Sequence, residues 1–176
     1  MNHTFDPSME VSPEDMLKAR EHRITIQTDL IDRYRTPLIH FTLNIPGSFK
    51  VFGRIPEVFE EGCQVIRSYL EQAELPLIYE EVLHKRTGYE ALFCVDEDAE
   101  TIKKVMLAAE EEPPLGRLYD IDIIRMDGTK ISREDVGYPA RTCFLCGRPA
   151  KECGNLYRHS VHDMVEHFKE IIEKKE

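Results

Sequence analysis

Long hydrophobic runs are missing from this 176-residue chain: Ala91 to Val95, among the longest, spans five residues, against the roughly 20 needed to cross a bilayer as a helix. The first residues, MNHTFDPSMEV, lack the basic start and apolar stretch of a secretory signal, so a cytoplasmic location is expected. Positive charge is outweighed, with 23 Lys and Arg against 33 Asp and Glu. A formal net charge of −10 argues against a nucleic-acid polymer or a membrane surface as partner. Cysteines number five, and three of them crowd between positions 143 and 153. An odd count in a reducing compartment points to metal binding or reduced thiols before disulfides. Internal repeats, low-complexity tracts and long linkers are absent, so residues 1–176 are expected to form a single domain.

What is present reads as an α+β chain. Ser12-Pro13-Glu14-Asp15 is a helix start, with a serine cap, proline in the first turn and acids at the positive end of the dipole. A helix over 13–34 is expected to end ahead of Pro37. Leu38 to Asn44 alternates apolar and polar residues, as a strand with one buried face does. Helices follow at 56–74 and 98–111, a hairpin at 77–95 turning at Gly88, and a strand at 117–125 before the tight-turn pair Asp127-Gly128. The last helix is expected over 160–174. Without the terminal helices the order is β-α-β-β-α-β, a ferredoxin-like split βαβ core over 38–125. The helix at 13–34 is added before that core, and a Cys-rich segment with a helix at 126–176 after it. Such a sheet sets its last strand beside its first and carries helices on one face, leaving the other face open for a site. Nucleotidyl-transferring palms use this plan, and so do many binding domains.

Three constellations carry chemistry. Asp120 and Asp122 alternate with Tyr119, Ile121 and Ile123, so both carboxylates share a strand face, about 6–7 Å apart. Such a pair suits Mg2+, which takes oxygen ligands together with substrate phosphates; as mere decoration, two like charges on one strand face are unfavourable. His40, Thr42 and Asn44 share one face of the neighbouring strand, and Glu90 is a candidate third carboxylate beside them. Cys143, Cys146, Cys153 and His159 offer three thiols and an imidazole within 17 residues, the donor set of a structural Zn2+ site, with His162 competing for the last place; reduced structural cysteines are the alternative. The stretch Arg117 to Arg158 holds eight basic against six acidic residues. This local positive balance in an acidic chain suits a phosphate-rich ligand or an acidic partner.

From Pro114-Leu115-Gly116-Arg117-Leu118-Tyr119-Asp120-Ile121-Asp122, through Asp127-Gly128, Ile131-Ser132-Arg133 and Pro139-x-Arg141-x-Cys143-x2-Cys146, to Cys153 and His159, the sequence resembles the apo-citrate lyase phosphoribosyl-dephospho-CoA transferase family. Upstream, Arg20-Glu21, Phe41-Thr42, Pro46-Gly47 with Lys50, and Gly88-x-Glu90 extend the likeness, although Tyr89 and Ala91 replace an expected proline and glycine. The resemblance implies a nucleotidyltransferase. It would move the 2′-(5″-phosphoribosyl)-3′-dephospho-CoA group from triphosphoribosyl-dephospho-CoA to a serine of the acyl carrier (gamma) subunit of citrate lyase, releasing diphosphate. On that implication Asp120 and Asp122 bind Mg2+. Arg117, Arg133, Arg141 and Lys50 hold phosphate, and Glu90 or His40 serves as base. Arg148, Lys151 and Arg158 are left for the carrier. Two alternatives stay open: a non-enzymatic, zinc-stabilised assembly module for a lyase complex, and the same transfer to another carrier such as that of a malonate decarboxylase.

Overall fold

The computed structural model describes residues 6–112 and 114–173. Helix α1, Pro13–Tyr34, begins at a capping box in which the Ser12 hydroxyl accepts from the Asp15 amide and the Asp15 carboxylate accepts from the Ser12 amide, satisfying donors that a helix start leaves orphaned. It stops at Arg35, a left-handed residue (φ 57°) two positions before Pro37. Strand β1 (Leu38–Leu43), helix α2 (Ile55–Gln72), strands β2 (Leu77–Lys85) and β3 (Gly88–Val95), helix α3 (Ala99–Glu111) and strand β4 (Tyr119–Ile124) follow, then helices α4 (Ala150–Asn155) and α5 (Val161–Glu173). Lys174, the expected end of the last helix, lies outside the described residues. No helix among those described is long and apolar enough to cross a membrane.

The four strands form one antiparallel sheet in the order β2-β3-β1-β4, so the last strand lies beside the first as expected. Ile39 and Phe41 of β1, Ala91 and Phe93 of β3, and Tyr119, Ile121 and Ile123 of β4 point to one face. There they build the main core with Phe59, Ile66 and Leu70 of α2, Ile102 and Met106 of α3, and Phe168 and Ile172 of α5. Burying side chains of this size supplies about 1.5–3 kcal/mol each, which is why period-2 alternation decides which face is inside.

Two sequence expectations are corrected, and one element is added. The second sheet face is not open along its whole length. Leu30 and Ile31 of α1 pack on Leu38, Leu92, Cys94 and Ile124 in a second, smaller core, because these four side chains are apolar and need cover. The strand at 117–125 is shorter than its sequence pattern suggests: Leu115–Leu118 forms a 3-10 turn and β4 starts at Tyr119. Gly116 presses so close to α3 that a Cβ there would lie 2.8 Å from the Ala109 carbonyl oxygen, so the chain must turn before it can extend. The Cys-rich segment also contains a helix, α4, that its loop-like composition conceals. The Asp127-Gly128 turn forms as expected, with Gly128 at φ 83° and its amide donating to the Arg125 carbonyl at 2.9 Å.

Candidate active site

Strand register sorts the second sheet face into rows. Leu38 lies between Cys94 and Ile124, His40 between Leu92 and Asp122, and Thr42 between Glu90 and Asp120. The first row is the apolar one under α1. The last is polar and holds two carboxylates on either side of a threonine, with cross-strand Cβ atoms about 5 Å apart.

Glu90 is enclosed. It is 2% exposed, as is His40, and its two oxygens accept from Arg23 Nη2 at 3.0 Å and from His40 Nε2 at 3.3 Å. An ionised carboxylate only accepts hydrogen bonds, so Nε2 is the protonated nitrogen of His40. Burial alone pushes the Glu90 carboxyl up, but the hydrogen bonds from His40 and Arg23 and the Arg23 charge outweigh it and hold the group down at about 2. Both base candidates are therefore largely buried, with Glu90 lining a small cavity that Asp120 shares.

Asp120 is in the opposite situation. It keeps solvent access along two cavities, yet it lies deep enough among protein atoms that lost hydration raises its pKa, with the Asp122 carboxylate adding to the effect. Asp122 is ion-paired to Lys130, which the Asp127-Gly128 turn brings back beside Ile124. The outer edge of β4 has no further strand at Ile121. The Ile121 amide donates to Glu110 at 3.3 Å and its carbonyl accepts from Lys103 at 3.2 Å. Both side chains come from α3 and are about 5% exposed. Glu110 also accepts from Arg133 at 2.6 Å and is ion-paired with Arg141 at 3.2 Å, while Arg141 donates to the Tyr119 carbonyl at 2.8 Å. One buried carboxylate thus ties the strand bearing the aspartates to two of the expected phosphate-binding arginines, whose other N–H donors remain unspent on it.

Asp120, Asp122, Lys130, Arg133 and Arg141 line a cavity of about 440 Å3. Asp120 also lines a smaller one of about 170 Å3 with Arg23, Thr42, Lys50 and Glu90. Lys50 donates to the Ile45 carbonyl, and burial pushes its pKa down. Arg117 stands apart from this group: with β4 starting later than expected, its guanidinium donates to the Thr142 carbonyl at 2.9 Å instead of joining the aspartates.

The candidate metal ligands converge. One donor atom from each of Cys143, Cys146, Cys153 and His159 lies within 4.8 Å of the others. The Cys143 amide donates to the Arg148 carbonyl at 2.6 Å and the Gly147 amide to the Cys143 carbonyl at 2.9 Å, folding the knuckle. His159 Nε2 is buried without a hydrogen-bond partner among the described residues, the orphaned donor atom that a metal site would account for. A hydrogen bond from the Arg148 amide lowers Cys146 to about 7, and burial raises Cys153 to about 11. The cluster fits a tetrahedral Cys3His metal ion.

Four contributors escaped the sequence reading: Arg23, Lys103, Glu110 and Lys130. For the first three the signal is a charge set among buried positions of a helix; Lys130, exposed after the Asp127-Gly128 turn, carries no such signal. Arg23 falls at helical spacing between Ala19 and Gln27, both buried, and Lys103 and Glu110 flank Met106 on the buried face of α3. A charge on such a face must find a partner.

A family model described as apo-citrate lyase phosphoribosyl-dephospho-CoA transferase matches residues 11–175. A Vibrio cholerae protein named as a probable apo-citrate lyase phosphoribosyl-dephospho-CoA transferase is 34% identical over 166 residues, which cover 94% of this chain and 93% of that protein. A Streptococcus pyogenes protein of the same name is 34% identical over 165 residues, 92% of this chain and 85% of its own length. Protein CitXG of Haemophilus influenzae is 32% identical over 163 residues, 93% of this chain but 35% of that protein.

Proposed function

The chain belongs to the apo-citrate lyase phosphoribosyl-dephospho-CoA transferase family, and from that premise we propose that it is a nucleotidyltransferase on a ferredoxin-like, single-domain, cytoplasmic scaffold. It moves the phosphoribosyl-dephospho-CoA group from a triphosphate donor to a serine of the acyl carrier subunit of citrate lyase. The observation that best supports this reading is the 440 Å3 cavity in which two strand carboxylates meet Lys130, Arg133 and Arg141. Phosphoryl transfer asks for little beyond alignment and charge stabilisation, and that lining supplies both.

Asp120 and Asp122 are the residues to hold a divalent cation, for which Mg2+ is the natural choice; when bound, it offsets negative charge on the reacting phosphates. The other groups act directly. Arg133 and Arg141, fixed from behind by Glu110, receive phosphate oxygens, and Lys130 adds charge beside Asp122. The carrier serine oxygen attacks the α-phosphorus from the side opposite the leaving group. The new P–O bond forms as the bond to diphosphate breaks, the serine proton passes to solvent, and the departing diphosphate is held by the arginines. We assign positioning to Glu90 and His40 instead of proton transfer, since each is 2% exposed and bonded to the other, and a carboxylate held down at about 2 is a weak proton acceptor near neutral pH. The Cys143, Cys146, Cys153 and His159 cluster takes one structural zinc, stapling the C-terminal segment, and elemental analysis should find about one per chain.

The deciding test is the intact mass of apo-carrier incubated with this protein, Mg2+ and the triphosphate donor. A gain equal to the transferred group, with one diphosphate released per carrier, is expected. An unchanged mass with the citrate lyase carrier but a gain with a malonate decarboxylase carrier would redirect the acceptor. No gain with either would leave a binding module.

A further inference from the structure

Arg141 has cavities on both sides. Beyond it from the aspartates lies a further cavity of about 360 Å3, walled by Phe144, Met164 and Gly154 near the end of α4, with Asn44, Arg117 and Thr142 also lining it and the metal-cluster residues Cys143, Cys153 and His159 along one wall. Its surface is mostly apolar, with a few polar groups, the usual character and size of a small-molecule site. Tyr157, a further lining residue, is 91% exposed and stands at φ 46°, a left-handed conformation rarely adopted without glycine.

We propose that this cavity binds the adenine base of the donor, an inference that rests on the function proposed above. Connectivity supplies the first reason. In the donor, the base sits on the ribose that carries the transferred phosphoribosyl group, so it must lodge next to the reacting phosphate. Arg141 and Ala150 line both this cavity and the aspartate-lined one, so the two are adjacent. The lining supplies the second. A purine needs apolar walls for its faces and a paired donor and acceptor for its edge, which the carboxamide of Asn44 provides in the way amides pair with adenine. Tyr157 is an aromatic already held outside the core, able to stack on the base as aromatics do on unpaired nucleobases. Third, the phosphates flanking an adenosine need cations on either side, and Arg117 and Arg141 both line the cavity.

Dephospho-CoA, which has the adenosine but no triphosphate, tests this by titration calorimetry against wild type, Asn44→Ala and Gly154→Leu. A Cβ at Gly154 meets no atom within 4 Å, so the backbone accepts a side chain there, and a leucine adds bulk at the cavity wall. Both variants should bind dephospho-CoA about tenfold or more weakly, while binding of Mg2+-tripolyphosphate, zinc content and melting temperature stay at wild-type values. Adenosine should displace dephospho-CoA and pantetheine should not. The assignment is overturned if wild type does not bind dephospho-CoA at about 1 mM, if both variants bind it normally, if pantetheine is the competitor, or if the variants raise KM for the carrier and leave the donor unaffected. Carrier labelling by wild type is scored separately. A wild-type protein that binds dephospho-CoA in this way but labels no carrier refutes the transfer reaction and not the adenine site.

Discussion

Glu90 and Asp120 stand in the same row of the sheet, one on each side of Thr42, yet their surroundings drive them in opposite directions. Glu90 has Arg23 and His40 as partners and is held down at about 2. Asp120 faces cavities, has Asp122 as its carboxylate neighbour, and is pushed up. A carboxylate whose charge is already matched builds structure. One whose charge is unmatched beside a second carboxylate leaves a deficit that a cation can fill. Acidity on a strand face is thus of two kinds: Glu90 is bonded to its cation, whereas Asp120 has no ion pair of its own, and Arg141 and Lys130 offset its raised pKa only in part.

The largest expected effect comes from removing the unmatched charge. Asp120→Asn should lower transfer more than about a hundredfold with the fold intact, and should slightly raise the melting temperature in metal-free protein because it removes a disfavoured charge. Near-normal transfer at saturating Mg2+, or clear destabilisation, breaks the distinction. Glu90→Gln should do the reverse: about 2–4 kcal/mol of stability lost, since Arg23 and His40 lose their charged partner, measurable by denaturant titration. A variant with full stability and no transfer would make Glu90 a reacting group.

Glu110→Gln sharpens the contrast at the arginines. Weakening the anchor of Arg133 and Arg141 while keeping the shape should raise KM for the donor about three- to tenfold with kcat less affected, and KM for the carrier should not move. An equal change in both constants would mean that Glu110 only supports the fold.

The smallest effect is in the pH dependence of stability. Glu90 has a folded value below its ordinary 4.5, so its contribution is present above pH of about 4.5 and is lost as pH falls toward about 2. Asp120 has a raised folded value, so its charged form opposes folding and acidification through that value relieves the opposition. Wild type minus Glu90→Gln should therefore lose its stability difference in acid, while wild type minus Asp120→Asn should converge from the other side. Differences of the same sign would refute the pairing.

Much of this was legible locally. The serine cap and Asp15 mark the start of α1, alternation in β1 and β4 marks which side chains share a face, and CxxC with Cys153 and His159 marks the metal cluster, because each depends on residues a few positions apart. The early start expected for β4 failed because close packing of Gly116 on α3 is a long-range contact that no propensity reports. The open sheet face failed in part for the same reason, since nothing within α1 says where its apolar stripe will land.

By itself the sequence determined the strand pattern, the shared face of Asp120 and Asp122, and the three thiols of the cysteine knuckle, all consequences of fixed backbone periodicities of two or of turns a few residues long. Only the tertiary structure decided which carboxylates are matched. Arg23 reaches Glu90 across 67 residues and Arg133 reaches Glu110 across 23, and electrostatic environment depends on distance in space, which sequence separation does not encode.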